Sequence, residues 1–491
     1  MKKILFLFVI ITCVSFISCS GNQENPPGDT GKSPSLHADE ANEDTPTIDL
    51  YSTDYLPEKD YGGADLTILA YGDYISGANM FMAEAQTGET INDAIYQRNR
   101  TVEGRFNINI KCIEFGWGET SVALQKTVNA GDHAYDLLAL HSIEGCGPML
   151  TKNLVYNWLD VPYVNSNLDK SWYNQSIREL LEINGFLPFI ASDFNYGSYP
   201  FTFAMIFNKS FVRNYQIENP YDLVKSGNWT LDKFREMVKM FSEDINGDGI
   251  YDENDLYGLC TDNFLHPVAF VYAMGNTFVN KTKDNELELT LYNEKSVRLV
   301  ETLYDIIYVG NNTYRFDYAN SLDTVIPIDQ NRTFIQSLWL YDLPAMRSME
   351  VDFGIIPYPK YDKQQGKYYT YADARGSVLA LPVNSPDVEK IGVIVEALSA
   401  ESKRYVVPAY YDIALTQKDI RDEESREMLD IIFAGRVYDI GYMFDSGLAW
   451  SISILLNEKK SDLTSSYEKN EAKYKKYYDG ILKTYQDAVQ D

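Results

Sequence analysis

Between Ala64 and His141, short apolar runs alternate with stretches whose apolar positions recur every three to four residues. "ADLTILAYG" (Ala64 to Gly72) predicts a buried strand closed by glycine. "INDAIYQRNRTVEGRF" (Ile91 to Phe106) has the helical period, and "NINIKCIEF" (Asn107 to Phe115) reads as a strand. "SVALQKTVNAG" returns to a helix and "YDLLALH" (Tyr135 to His141) to a strand. This β-α-β-α-β order predicts a parallel sheet with helices on both faces. Ligands of such sheets bind beyond the carboxyl ends of the strands. That rule singles out Tyr71, Asp73 and Tyr74 at the first exit, Gly116, Trp117 and Glu119 at the second, and His141, Ser142 and Glu144 at the third.

The later chain repeats the style less cleanly. "YPFTFAMIFNKSFV" (Tyr199 to Val212) predicts a long apolar strand running into a helix. "DFGIIPYPK" (Asp352 to Lys360) and "GSVLALPVNS" (Gly376 to Ser385) predict two short strands. From Val388 onward the pattern is largely helical. The closing stretch "EKNEAKYKKYYDGILKTYQDAV" places Tyr474, Tyr477, Ile481 and Tyr485 on one face of an amphipathic helix. Residues 62–491 are too many for one hydrophobic core, so two domains are expected.

The N-terminus lacks this alternation. Lys2 and Lys3 precede an apolar run from Ile4 to Ile17 that is too short to span a membrane, which is the pattern of an export signal. "FISC" resembles the bacterial lipobox, so residues 1–18 are expected to be removed and Cys19 to be lipidated. Ordinary secretory cleavage nearby is the alternative. Residues 19–61 then form the lipidated Cys and a flexible acidic tether, because Ser20 to about Thr53 has almost no apolar surface to bury. The expected location is extracytoplasmic, anchored by acyl chains to the outer face of a bacterial membrane.

"SEDINGDGIYDENDLYG" (Ser242 to Gly258) carries candidate metal chemistry. Calcium takes six to eight oxygen ligands, which a twelve-residue loop supplies at fixed offsets. Asp244, Asn246 and Asp248 stand at positions 1, 3 and 5, Gly249 at the sharp turn, and the Ile250 carbonyl at position 7. Asp252 is at position 9 and Asp255 at position 12, where a longer Glu is usual. "NWTLDKFREMVKMF" before the loop predicts an entering helix capped by Thr230. "DLYGLC" after it shows no helical period, so a sensor with a moving exit helix is disfavoured and a structural calcium clip is expected.

Charge and cysteines narrow the function classes. Asp and Glu number 71 against 43 Lys and Arg, a formal charge of -28, which argues against nucleic acid as a partner. Cys112, Cys146 and Cys260 show no metal-ligand spacing. They admit one Cys112–Cys146 disulfide, but free buried thiols are the expected state. No G-x-S-x-G, HExxH or Walker loop appears, so no enzyme is expected. Paired carboxylates leave a surface glycoside hydrolase or other carbohydrate-active enzyme as the alternative. A calcium-dependent adhesive module is disfavoured because one loop does not explain two domains.

Several runs, taken in order, carry a family resemblance: "AGDHAYDLLALH", "FTFAMIFNKSFV", "NPYDLVKSGNWTLDKFREM" with the loop and "LYGL", "MEVDFGIIPYPKYD" through "GSVLALPVNS", "VPAYYDIAL" and "RDEESREMLDII". From about Asp65 to the C-terminus the chain resembles the extracellular solute-binding lipoproteins of ABC importers, in the carbohydrate-binding, maltose-binding-protein-like group. The resemblance implies an α/β, two-lobed periplasmic-binding-protein-like fold of type II, each lobe a sheet flanked by helices and joined by hinge crossovers. Lobe one would take 62–202 and 359–400, and lobe two 203–358 and 401–491. It further implies a monomeric receptor that closes on a carbohydrate, an oligosaccharide above all, and delivers it to ABC permease subunits.

A sugar site needs aromatic platforms and planar polar groups. Most aromatic rings are expected in the core, so position selects the candidates. Asp73 and Trp117 follow strands, and Asp193, Asn195 and Tyr196 precede the crossover strand. Trp339 and Tyr341 fall where the resemblance places a cleft aromatic, and Arg375 precedes "GSVLALP". Trp158 and Trp172 are expected to pack in the core, and Trp450 fits either setting.

Overall fold

The structure is a computed structural model that describes residues 49–73, 77–316, 326–373, 378–411, 415 and 420–489. By contacts the chain divides into Met1–Leu50 and Tyr51–Asp491, and the second unit is the subject here. The expected signal 1–18, Cys19, Tyr74 and Arg375 lie outside the described residues. Part of the stretch up to residue 61, expected within the acidic tether, is packed instead. Thr53 and Leu56 are buried, and Arg105 donates to the Thr53 hydroxyl at 2.7 Å and to its carbonyl at 3.1 Å. The apolar Tyr55, Leu56 and Tyr61 give this stretch enough surface to bury, unlike the polar stretch before it.

The first sheet contains β1 (Ala64–Tyr71), β2 (Ile108–Phe115) and β3 (Leu137–Leu140), with β1 parallel to both neighbours. Leu66 pairs with Ile110 and Ile68 with Leu137, so the apolar residues of neighbouring strands stand in register. All four residues of β3 are buried, as a central parallel strand covered on both faces requires. Helices Thr90–Phe106 and Thr120–Ala130 make the two crossovers. Gly131 ends the second at φ 73, a left-handed cap that costs a residue without Cβ little.

The second sheet begins with β4 (Phe203–Asn208), β5 (Ser242–Glu243) and β6 (Leu256–Asp262). The hairpin β7 (Val279–Lys281) and β8 (Leu287–Leu289) lies outside the sheet. β9 (Thr313–Phe316), β10 (Thr333–Trp339) and β11 (Phe353–Ile356) complete it, in the order β11-β4-β10-β6-β5 with β9 also on β6. β6, β9 and β10 are mutually parallel in direction, while β4 runs antiparallel to β10 and β11. Gly258 sits where helix Leu231–Val238 crosses β6: a Cβ there would lie 1.9 Å from the Val238 carbonyl oxygen, so only glycine admits this packing.

The chain returns through β12 (Thr370–Tyr371) to β13 (Val378–Ala380), which closes the first sheet antiparallel to β3. β12 pairs with β14 (Arg436–Val437). The outgoing and returning segments touch where Thr202 bridges Ala372. Helices Glu423–Ala434, Ser451–Asn457 and Leu463–Ala488 fill the C-terminal part. The sequence expectation put all of 401–491 in lobe two, but part of this segment packs on residues that precede the crossover. Lys403 pairs with Asp193 at 3.3 Å, and Phe444 and Tyr485 pack on Phe189 and Phe186. Cys112, Cys146 and Cys260 are free thiols. Among the described residues no helix is long and apolar enough to cross a membrane.

Candidate functional site: aromatic groups at the strand exits

Three first-sheet exits converge on one aromatic group. Tyr71 ends β1, Trp117 follows β2, and His141 follows β3. Their ring centroids lie 6.1 Å apart (Tyr71–Trp117), 5.2 Å (Tyr71–His141) and 5.2 Å (Trp117–His141), each pair edge to face. Trp117 remains 60 % exposed. Tyr71 donates to Asp73 Oδ2 at 3.1 Å, so the candidates Asp73 and Trp117 belong to one cluster. Glu144 braces it from behind: its oxygens accept the Thr120 hydroxyl at 2.6 and 2.8 Å, locking two helix starts together. Burial raises the Glu144 pKa, against the lowering pull of Thr120.

A second aromatic group stands at the exits of the second sheet. Trp339, the last residue of β10, pairs in register with Phe203. It is only 6 % exposed, edge-on to Phe201 and Phe203 at 5.8 and 5.5 Å. The expectation that Trp339 presents a platform is therefore corrected: its ring is packing. Tyr341, two residues on, is 39 % exposed and stacks on Phe201 at 5.5 Å and 23°. Asp342 accepts the Trp339 N–H at 3.0 Å, and burial with the nearby Asp262 charge pushes its carboxyl up to about 7. Trp450 stacks on Phe264 beyond the end of β6, at 4.6 Å and 14°, and donates to Asp445 at 3.0 Å. Phe264 was not singled out by sequence because nothing before the fold distinguishes it from core.

Both sets of exits abut the crossing segments. The Tyr341 N–H reaches the Pro200 carbonyl at 2.8 Å and the Asp373 N–H the Phe201 carbonyl at 2.9 Å. Val378, five positions after Asp373, pairs with Leu140 at the exit of β3. That length of chain spans at most about 18 Å. The strand exits of the two sheets thus lie within reach of each other beside the crossing segments.

The hinge loop is tightly held. Asp193 accepts the Tyr199 hydroxyl at 3.0 Å and pairs with Lys403 at 3.3 Å. Burial raises its pKa, while Lys403 pulls it down. Asn195 is buried, and its Oδ1 accepts the Gly197 N–H at 3.1 Å. The Tyr196 ring lies 6.0 Å from Tyr410, and burial pushes its hydroxyl up to about 12. Asp193 and Asn195 line a polar cavity of about 250 Å³ with Lys403 and Arg436, so they serve that cavity beside the aromatic groups. Arg98 pins the loop: its buried guanidinium donates to the Phe81 carbonyl at 2.6 Å and the Phe194 carbonyl at 3.1 Å.

No protein-family model and no curated protein matches the sequence. Solved structures do match. An ABC substrate-binding protein of Listeria monocytogenes in complex with cycloalternan superposes with TM-score 0.53 at 12% identity, over 86% of this chain and 99% of that one. The acarbose-binding GacH receptor of Streptomyces glaucescens gives 0.53 at 10% identity, over 86% and 99%. The galacto-N-biose/lacto-N-biose I-binding protein of a Bifidobacterium longum ABC transporter gives 0.52 at 13% identity, over 88% and 98%. The chain has the two-lobed, type II periplasmic-binding-protein fold. In this periplasmic-binding-protein fold the first sheet organises one lobe and the second sheet the other.

The acidic loop lies at the far end of the second lobe. It joins β5 to β6, and β6 runs from the loop toward Asp262 at the aromatic end, a distance of about 20 Å. The entering helix ends at Val238, so the loop closes a short hairpin and is not a helix terminus as expected. Asp244 accepts the Gly247 and Gly249 N–H groups, each at 2.7 Å, and Asp255 those of Ile245 at 3.0 Å and Asp252 at 2.9 Å. Gly247 and Gly249 hold φ of 71 and 81. The oxygens of Asp244, Asn246, Asp248, Asp252 and Asp255 and the Ile250 carbonyl are hard donors that suit calcium. Among the described residues no three His, Cys, Asp or Glu gather as a metal-holding cluster.

Proposed function

We propose that this protein is an extracytoplasmic receptor that captures a carbohydrate between its lobes and delivers it to the permease of an ABC importer. One observation carries the reading: each lobe presents an aromatic face at its strand exits, Trp117 on one and Tyr341 on the other, beside the crossing segments. Sugars offer apolar ring faces to such platforms and hydroxyls to groups such as Asp73. Fold neighbours were solved with cycloalternan, acarbose and lacto-N-biose, and another with the single-unit sugar tagatose, which supports a carbohydrate ligand; an oligosaccharide is the proposed one. The protein acts as a monomeric receptor and leaves the sugar unchanged. A glycoside hydrolase built on the same cleft is the reading it displaces.

The remaining parts of the reading rest on sequence. Cys19 carries acyl chains after removal of residues 1–18, and the polar stretch after it sets the receptor off the membrane. Calcium clips the hairpin from Asp244 to Asp255 and has no part in sugar binding, because the loop and the aromatic groups sit at opposite ends of β6. Thermal denaturation across a glycan panel tests the function. A rise in Tm with one class of oligosaccharide, recovered intact, is expected, and product accumulating at catalytic turnover would replace the receptor with the enzyme.

A further inference from the structure

Lys281 donates to the Glu182 carbonyl at 2.8 Å and Asn285 donates to Asn184 at 3.1 Å. These bonds dock the β7–β8 hairpin of the second lobe against the end of helix Gln175–Leu181 of the first. Between them opens a cavity of about 440 Å³. Its charged wall is Lys281, Lys283, Lys367 and Arg436 against Glu179 alone. Four cations facing one carboxylate are unexpected in a chain of net charge -28. None of the four has an ion-pair partner among the described residues, whereas nearby Lys403 is matched by Asp193 at 3.3 Å.

The cavity adjoins the polar one at the hinge loop, since Ser176 and Arg436 line both. Arg436 lies over Tyr199 at 4.7 Å and Phe433 at 5.3 Å, donates a long hydrogen bond to the Ser198 carbonyl at 3.4 Å, and is also held by the Tyr199 side chain and the Asp193 charge. Its fork of donors is therefore fixed at the cavity wall, where the donors that remain can meet a carboxylate. Asn195 adds an independent sign of a ligand. Its Oδ1 is committed to Gly197, which fixes the amide, and its buried Nδ2 has no hydrogen-bond partner. An unpaired buried donor is costly, and an acceptor in the cavity would satisfy it. Tyr369, with the Lys367 ammonium 5.0 Å from its ring centre, adds an apolar face beside the charges.

We infer that these adjoining cavities form a second ligand site, on the hinge side of both lobes, that takes an acidic saccharide. Its carboxylates pair with Arg436, Lys281, Lys283 and Lys367, its hydroxyls with Asn195 and Ser176, and a ring face with Tyr369. The larger of the two, about 440 Å³, falls in the range of small-molecule sites. The site shares neither Trp117 nor Tyr341 with the cleft, so it does not rest on the reading of that cleft.

Calorimetric titration of the full chain with trigalacturonate tests the assignment. Binding that weakens with added salt is expected. It should fall about five- to tenfold in Lys283→Gln/Lys367→Gln and stay unchanged in Trp117→Ala. Both lysines are exposed, so an unaltered Tm will show that the double variant folds. Three results would overturn the inference: no binding of trigalacturonate; binding lost in Trp117→Ala but kept in the lysine variant, which would place the acid in the cleft; or equal competition by inorganic sulfate, which would leave a bare anion site with no saccharide preference.

Discussion

Trp117 and His141 leave different strands of the first sheet and meet edge to face with ring centroids 5.2 Å apart. The contact anchors an indole that stays largely exposed, and the first prediction follows from that exposure. Trp117→Ala should lower sugar affinity by on the order of 1 to 2 kcal/mol with little change in Tm, because the ring buries little in the free protein. Calorimetry and a thermal melt on the same sample separate the two effects.

Trp339 should behave in the opposite way. It is packed between Phe201 and Phe203, so Trp339→Ala opens a cavity and should cost about 3 to 5 kcal/mol of stability. Tyr341→Ala should instead weaken binding and leave denaturant midpoints nearly unmoved. A variant pair with these effects exchanged would reverse the assignment of platform and support.

Asp342 makes a prediction about pH. Its folded-state pKa is raised by burial to about 7, above the ordinary carboxylate value. The folded state therefore binds the proton more tightly than the unfolded state. This contribution to stability is full below about pH 4 and is lost as pH rises through about 7. Asp342→Asn keeps the acceptor for the Trp339 N–H and removes the titration. Its Tm should match the wild type in acid and exceed it increasingly up to pH 7, with a constant gap above. Melts across that range measure the gap.

Calcium removal should lower stability by RT ln(1 + [Ca]/Kd), about 2.7 kcal/mol when calcium was present at a hundred times its Kd. Asp244→Ala should reproduce the loss in calcium buffer. Sugar affinity measured with chelator should be unchanged. A many-fold change in affinity would make the loop regulatory.

The thiols should be inert. Burial pushes Cys112 up to about 12 and raises Cys146 and Cys260 as well. A thiol reagent should therefore label all three only after denaturation, and reductant should leave Tm unaltered.

The sequence makes the first sheet legible because parallel strands covered on both faces are continuous apolar runs, as in "LLAL" of β3. The same burial hides the role of Trp339. Every residue of β10 is buried, so its alternation does not separate a core ring from a cleft ring. Arg98 is not among the residues the sequence singles out, yet it shares a face with Ile95, Val102 and Phe106, and that spacing is the available signal. β5 has two residues and exists only through its pairing with β6, which no local pattern announces. In the last helix Tyr474, Ile481 and Tyr485 are buried as their spacing implies. Tyr478 is buried as well, because the helix packs on a wider arc than one stripe.

The central claim is that the lobes hold an intact saccharide between Trp117 and Tyr341. The most direct measurement is a calorimetric titration of the strongest ligand from a glycan panel into the wild type and into Trp117→Ala/Tyr341→Ala, with the sugar recovered and analysed afterwards. One-to-one binding by the wild type, loss of most of that affinity in the double variant, and an unchanged sugar are predicted. Undiminished affinity in the double variant, or a cleaved sugar, would contradict the account.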